Sequence, residues 1–299
     1  MHDAKKFVSW PGQANVVVFG ARLGREAAAS LQSLRQVSWF VEGYDADKKM
    51  DLLANINFSD DGDLEFASYD DLRKITDNAK KILEAKKIPL MLGGGHLAAL
   101  YALQALGKDV KILTLDAHCD LKDSYIDEKI VDLSFIADGV EIDPKLDDAT
   151  YLRRACEDSV DPKNVMMLGI RSCDEDEINF AEKNKIQIFT AKQIKNNMAA
   201  VKQKISEFTR GSDVYINLDL DVFDPCIAPA VDQQEPCGID YFDYSEIIDS
   251  IGEAGGKLVG MNVACLRSLK DENNKLTEFL ATKCIFDAMS LVKSEKIKE

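Results

Sequence analysis

The run TLDAHCD at residues 114–120 constrains this chain most, because there an apolar stretch ends on three potential metal ligands at alternate positions. If the stretch is a strand, side chains two apart share a face, so Asp116, His118 and Asp120 point one way and can grip one ion together. A second run, YINLDLD at 215–221, alternates in the same manner and places Asp219 and Asp221 on one face before FDP at 223–225 breaks the strand. The sixth candidate ligand is His96, where an apolar run turns through three glycines at 93–95 into a helix-forming stretch. Four aspartates in one crevice repel one another and resist desolvation, and two divalent cations would cancel their charge. Oxygen and imidazole donors without thiolate suit manganese first, with iron, cobalt, nickel and zinc as further choices. Cys119 alternates away from its neighbours and is left out of the set. Two ions roughly 3.5 to 4 Å apart would acidify a shared water, which implies hydrolysis. Each motif alone has a bland explanation, a tight turn or a solvated strand cap. All three together, each at a strand end, point to a binuclear site.

Strand and helix alternate around these motifs. Apolar runs at 16–20, 88–92, 110–115, 165–170, 186–189, 214–220 and 257–266 are expected strands. Helical spacing marks 25–42, 69–86, 97–106, 174–184, 192–209, 243–254 and 276–296. An acid-rich turn at 60–65 leads into a further short strand, residues 121–150 form a long loop with room for one short helix over the site, and 225–239 is irregular. About eight strands result, in a mainly parallel sheet covered on both faces, with the ligands at strand ends where open α/β sheets place their crevices. A length of 299 residues at 46% hydrophobic content can bury one large core, so residues 1–299 are expected to form a single domain.

Fifty-two acidic residues against 37 basic ones leave a net charge of -15, which argues against a nucleic-acid or anionic-membrane partner and mildly favours a small cationic substrate. The seven cysteines show no C-x-x-C spacing and the first residues no leader pattern, so a reducing cytoplasm is expected in place of a disulfide framework. No apolar segment is long enough to span a bilayer. Two of the three histidines fall inside the proposed metal segments, and the third is His2.

These motifs resemble the ureohydrolases, the arginase and agmatinase family, whose signatures are a Gly-Gly-x-His turn, an Asp-Ala-His-x-Asp strand and an Asp-x-Asp-x-x-Asp-Pro segment. They stand here at 93–96, 116–120 and 219–225, and LGIRS at 168–172, APAVDQQEPCG at 228–238 and the final helix are also similar. The stretch DLKDSYIDEK at 120–129 is most like the agmatinase branch. The resemblance implies a three-layer α/β/α fold around an eight-stranded, mostly parallel sheet. It also implies two manganese ions per chain, hydrolysis of a guanidino group to urea and an amine, and a homo-oligomer, a trimer or hexamer.

Three departures bear on the substrate side. The family's proton-shuttling histidine falls near VDL at 131–133, which makes Asp132 the nearest ionisable stand-in. The family's Asp-x-x-Glu strand, whose glutamate meets the guanidinium, reads NVAC at 262–265, so Cys265 stands at the glutamate position. The first βα loop is the short GARLG at 20–24, where the family has a longer segment with an aspartate. Asp120, Asp132 and Cys265 are therefore the candidate catalytic positions, and Asp132, Asp232 and Glu235 the candidate replacements for the missing charge. Losing a charge-assisted contact costs about 1.5 to 3 kcal/mol and losing a proton shuttle about 100- to 10,000-fold in rate, and neither touches the metals. An agmatinase-like enzyme is the first expectation. The alternatives are a hydrolase of another guanidino or amidine substrate and a metal-binding, non-catalytic homologue serving as a structural or regulatory subunit.

Overall fold

Successive residues of the central strands feed two separate cores. Val16, Val18, Leu90, Leu92, Leu113 and Leu115 enter one, whereas Val17, Phe19, Met91 and Ile112 enter the other. A strand buried on both faces needs helices on both sides, which is the burial pattern of parallel sheets. Each fully buried aliphatic or aromatic side chain contributes roughly 1.5 to 3 kcal/mol, so this two-sided burial dominates the stability.

The computed structural model describes residues 13–24, 26–125, 143–271 and 273–292. Its strands are β1 (Val16–Ala21), β2 (Tyr44–Asp45), β3 (Met50–Asp51), β4 (Phe58–Leu64), β5 (Ile88–Gly93), β6 (Lys111–Leu115), β7 (Val165–Ile170), β8 (Gln187–Thr190), β9 (Asp213–Asp219) and β10 (Lys257–Ala264). The helices are α1 (Ala27–Ser38), α2 (Arg73–Glu84), α3 (Leu97–Leu103), α4 (Tyr151–Asp158), α5 (Glu175–Asn184), α6 (Ala191–Asn196), α7 (Met198–Thr209), α8 (Tyr241–Glu253) and α9 (Leu276–Ala288). Strands β2 and β3 form a small antiparallel hairpin. The other eight make one sheet in the order β4-β1-β5-β10-β9-β6-β7-β8, parallel at every pairing. Helices α1, α6, α7, α8 and α9 cover one face and α2, α3, α4 and α5 the other. The expected three-layer α/β/α fold is present.

Strand order positions the site. Strands β5, β10, β9 and β6 are neighbours at the centre and run the same way, so their C-terminal ends lie side by side along one edge. His96 follows β5, Asp116 follows β6, Asp219 ends β9 and Cys265 follows β10.

Several elements differ from expectation, the β2–β3 hairpin among them. Residues 60–64 belong to strand β4 and are no turn, with Gly62 at φ +79° and a register shift against β1. The acids that looked like turn chemistry are held by Arg35 of α1, whose guanidinium meets Asp60 at 2.6 Å and Asp63 at 2.7 Å. The helix expected at 192–209 is two, broken at Asn197 with φ -151° and ψ 52°. Helix α4 was not expected, because its apolar face is short; Tyr151, Leu152 and Ala155 bury it. Asp132 and His2 lie outside the described residues.

Candidate metal centre

The glycine turn that delivers His96 is dictated by close approach. A Cβ on Gly94 would sit 1.9 Å from the Leu23 carbonyl oxygen, and one on Gly95 would collide with the Asp148 carboxylate. Asp148 instead accepts the Leu97 N–H at 2.6 Å as α3 begins. His96 thereby turns its ring into the end of the sheet. Its Nδ1 lies 3.0 Å from an Asp120 oxygen and 3.3 Å from one oxygen each of Asp116 and Asp219. Two donors about 2.1 Å from one octahedral ion and at right angles lie about 3 Å apart, so this spacing fits a shared ion.

A second group forms around His118. Its Nδ1 is 3.0 Å from Asp221 Oδ2 and 3.6 Å from Asp116 Oδ1. Asp116 thus turns Oδ2 to His96 and Oδ1 to His118, joining the groups through one carboxylate. Among the described residues, donor atoms come within 4.8 Å of one another in three sets: His96, Asp116 and Asp120; Asp116, His118 and Asp221; and His96, Asp219 and Cys265.

The expected grouping of Asp116, His118 and Asp120 on one ion is corrected here. Regular β6 ends at Leu115, so strand alternation does not carry the motif. Asp120 has φ 53°, a left-handed bend that swings its carboxylate to His96 and away from His118. Asp221 likewise lies in a short 3-10 turn, not in β9, and its N–H donates to Asp219 Oδ1 at 2.8 Å. The Cys265 sulfur also lies within 4.8 Å of donor atoms on His96 and Asp219, while Cys119 stays in the apolar core.

Charge explains what this arrangement requires. Burial, then the charges of Asp120 and Asp221, push Asp116 up to about 7. Burial likewise lifts Asp120 to about 6 against the pull of His96, and raises Asp219 well above the carboxylate range. Burial also opposes ionisation of Asp221, but the hydrogen bond and charge of His118 outweigh it and hold that carboxyl low. Burial would lower both imidazoles, yet the carboxylates win, raising His118 to about 12 and His96 well above its ordinary value. The cluster concentrates negative charge that attracts protons or cations. Six oxygen and imidazole donors, joined by a shared carboxylate, fit two divalent ions.

Around the donors lies a network of residues that strand patterning did not single out. Asn217 is fully buried beneath His96: its Oδ1 is 3.1 Å from His96 Nε2, and its Nδ2 donates to Thr114 Oγ1 at 2.7 Å and Tyr151 OH at 2.8 Å. Asn262 Nδ2 donates to the same Oδ1 at 2.6 Å. Asn217 Nδ2 also lies 2.9 Å from His96 Nε2, so the amide faces that nitrogen and leaves Nδ1 toward the carboxylates. Tyr151 also stacks on the His96 ring, centroids 4.3 Å apart. Asn217 could have been found from sequence, since it sits two residues before Asp219; Tyr151 carried no such signal. Arg171 holds the opposite wall, donating to the carbonyls of Asp221 at 2.7 Å, Glu235 at 2.6 Å and Pro236 at 3.0 Å. Of the candidate replacement acids, Asp232 is taken by Arg267, whereas Glu235 lies 3.7 Å from His118 Nε2.

The arginase family profile matches residues 18–291. A 32.2 kDa protein of Methanothermus fervidus is 27% identical over 266 residues, covering 87% of this chain and 84% of that protein. The agmatinase of Bacillus subtilis is 30% identical over 239 residues, 78% of this chain and 73% of the enzyme. The crystal structure of the agmatine ureohydrolase of Thermoplasma volcanium superposes with a TM-score of 0.78 at 27% identity, over 97% of this chain and 94% of that one. With its sheet order, its two joined donor groups and a profile running through nearly all its length, the chain belongs to the arginase family, the hydrolases of guanidino carbon–nitrogen bonds.

Proposed function

We propose that this chain is a manganese-dependent ureohydrolase acting on a guanidino compound, with agmatine, cleaved to putrescine and urea, as its first substrate. The observation that carries this is Asp116, which offers one oxygen to each of two imidazoles at the end of the sheet. Bound by His96, Asp116, His118, Asp120, Asp219 and Asp221, two divalent ions would supply an acidified water as nucleophile. The chain's own groups do the rest. Asn217 and Tyr151 orient His96, Arg171 fixes the backbone that carries Asp221, and Glu235 supplies negative charge beside the partly exposed His118 for a cationic substrate. Asp132 is assigned as the proton carrier.

A second proposal has its own observation. Cys265 replaces the guanidinium-binding glutamate, and Arg267 stands two residues on, so the chain could keep its metals without turnover as a structural or regulatory subunit. The manganese-loaded protein should be tested against agmatine, arginine, guanidinobutyrate and formiminoglutamate, read as urea or ammonia release. Agmatine turnover well above the metal-free protein supports the first proposal. Inertness with two ions bound moves the assignment to the second.

Solvent-exposed Trp39, Phe40 and Tyr44 after α1 offer an apolar surface for further copies, in line with a trimer or hexamer; light scattering tests it. No described helix is long and apolar enough to cross a membrane. A cytoplasmic location is proposed from the unpaired cysteine pattern.

A further inference from the structure

The chain leaves β10 in an unusual way. Cys265 has φ 63°, in the left-handed region that residues with a Cβ rarely enter, and its N–H donates to the Gly94 carbonyl at 2.8 Å. That bond ties it to the turn carrying His96. Four cysteines are buried, and three of them, Cys119, Cys156 and Cys284, pack into one or the other apolar core. Cys265 joins neither. Its thiol instead hydrogen-bonds the Asp219 carboxylate, and its Sγ lies within 4.8 Å of donor atoms on both His96 and Asp219.

We propose that Cys265 is a thiolate ligand of the ion beside His96 and Asp219, so that this position takes a thiophilic divalent cation such as zinc, cobalt or iron(II) ahead of manganese. The His118 position keeps oxygen and nitrogen donors alone. The proposal rests on the binuclear centre described above. A sulfur about 2.3 Å and a nitrogen about 2.1 Å from one ion are at most about 4.4 Å apart, so a small rotation of a short side chain suffices. Metal binding displaces the thiol proton to solvent, and sulfur shifts selectivity toward softer ions. The lost glutamate is then replaced by a change in the centre itself.

Cobalt reports thiolate ligation directly. Metal-free full-length protein, titrated anaerobically with cobalt(II), should develop a near-ultraviolet thiolate-to-cobalt charge-transfer band of the intensity of one thiolate. Cys265→Ser, carrying the cobalt it still binds, should lose it. If wild type binds two cobalt ions without the band, or the serine variant retains it, thiolate ligation is overturned and the binuclear centre stands. If wild type binds no cobalt, both fall. Because the variant can fail to fold, zinc-edge X-ray absorption of the wild type gives a second arm: sulfur at about 2.3 Å supports the proposal, and nitrogen and oxygen scatterers alone overturn it.

Discussion

The two halves of the centre are built differently. Around His96 everything is sealed: His96 and Asp219 are each 2% exposed, the ring stacks on Tyr151, and its far nitrogen rests on Asn217. Around His118 the protein is looser. That side chain is 21% exposed, its Nε2 has no hydrogen-bond partner, and Glu235 is 3.7 Å away. A ligand held by packed neighbours and a buried amide is preorganised for an ion, whereas a partly exposed ligand with a buried, unpartnered nitrogen can adjust to an incoming molecule. The inner half is therefore expected to govern metal affinity, and the outer half to meet substrate.

The hardest test removes the residue common to both halves. Asp116→Asn should cost both ions and all hydrolysis, because it removes the carboxylate that reaches both imidazoles. Ions that bind only the folded state add about 2.7 kcal/mol of stability at a hundredfold excess over Kd, so the melting temperature should drop by several degrees relative to the metal-loaded wild type. Metal analysis and scanning calorimetry measure both, and one ion retained per chain would break the shared-carboxylate picture.

Asn217→Leu separates the halves. The inner ion should bind about 10- to 100-fold more weakly while the outer one is unchanged, since only His96 loses the partner that orients it. Titration calorimetry resolves the two steps. Equal weakening of both would show that the buried network serves the whole centre and that the two halves are not independent.

The smallest effect belongs to the open side. Glu235→Gln should raise KM for a cationic substrate about 2- to 5-fold with kcat and metal content unchanged, the size expected for a partly exposed charge pair. A fall in bound metal instead would place Glu235 in the metal-binding half.

Much of this protein is visible in its amino-acid order. Apolar runs such as 165–170 and 88–92 mark strands because a central parallel strand is apolar on both faces. Asp and His at the ends of such runs stand out because burying them has no packing benefit. Acid-rich β4 was hidden because its charges answer Arg35, 25 residues away and on another element. Helix α4 was hidden because Tyr151 is buried against His96, a contact that local periodicity does not record.

The sequence by itself determined most of the order of elements, the parallel sheet and six candidate oxygen and nitrogen donors, because hydrophobic period and ligand chemistry belong to residues one at a time. Only the tertiary structure decided which donors meet. Asp120 joins His96 through a left-handed bend, Asp232 is consumed by Arg267, and Cys265 is turned from the core toward Asp219. Coordination depends on spacings of a few ångströms between the ends of β5, β6, β9 and β10, and those spacings are set by how strands distant in sequence pack side by side.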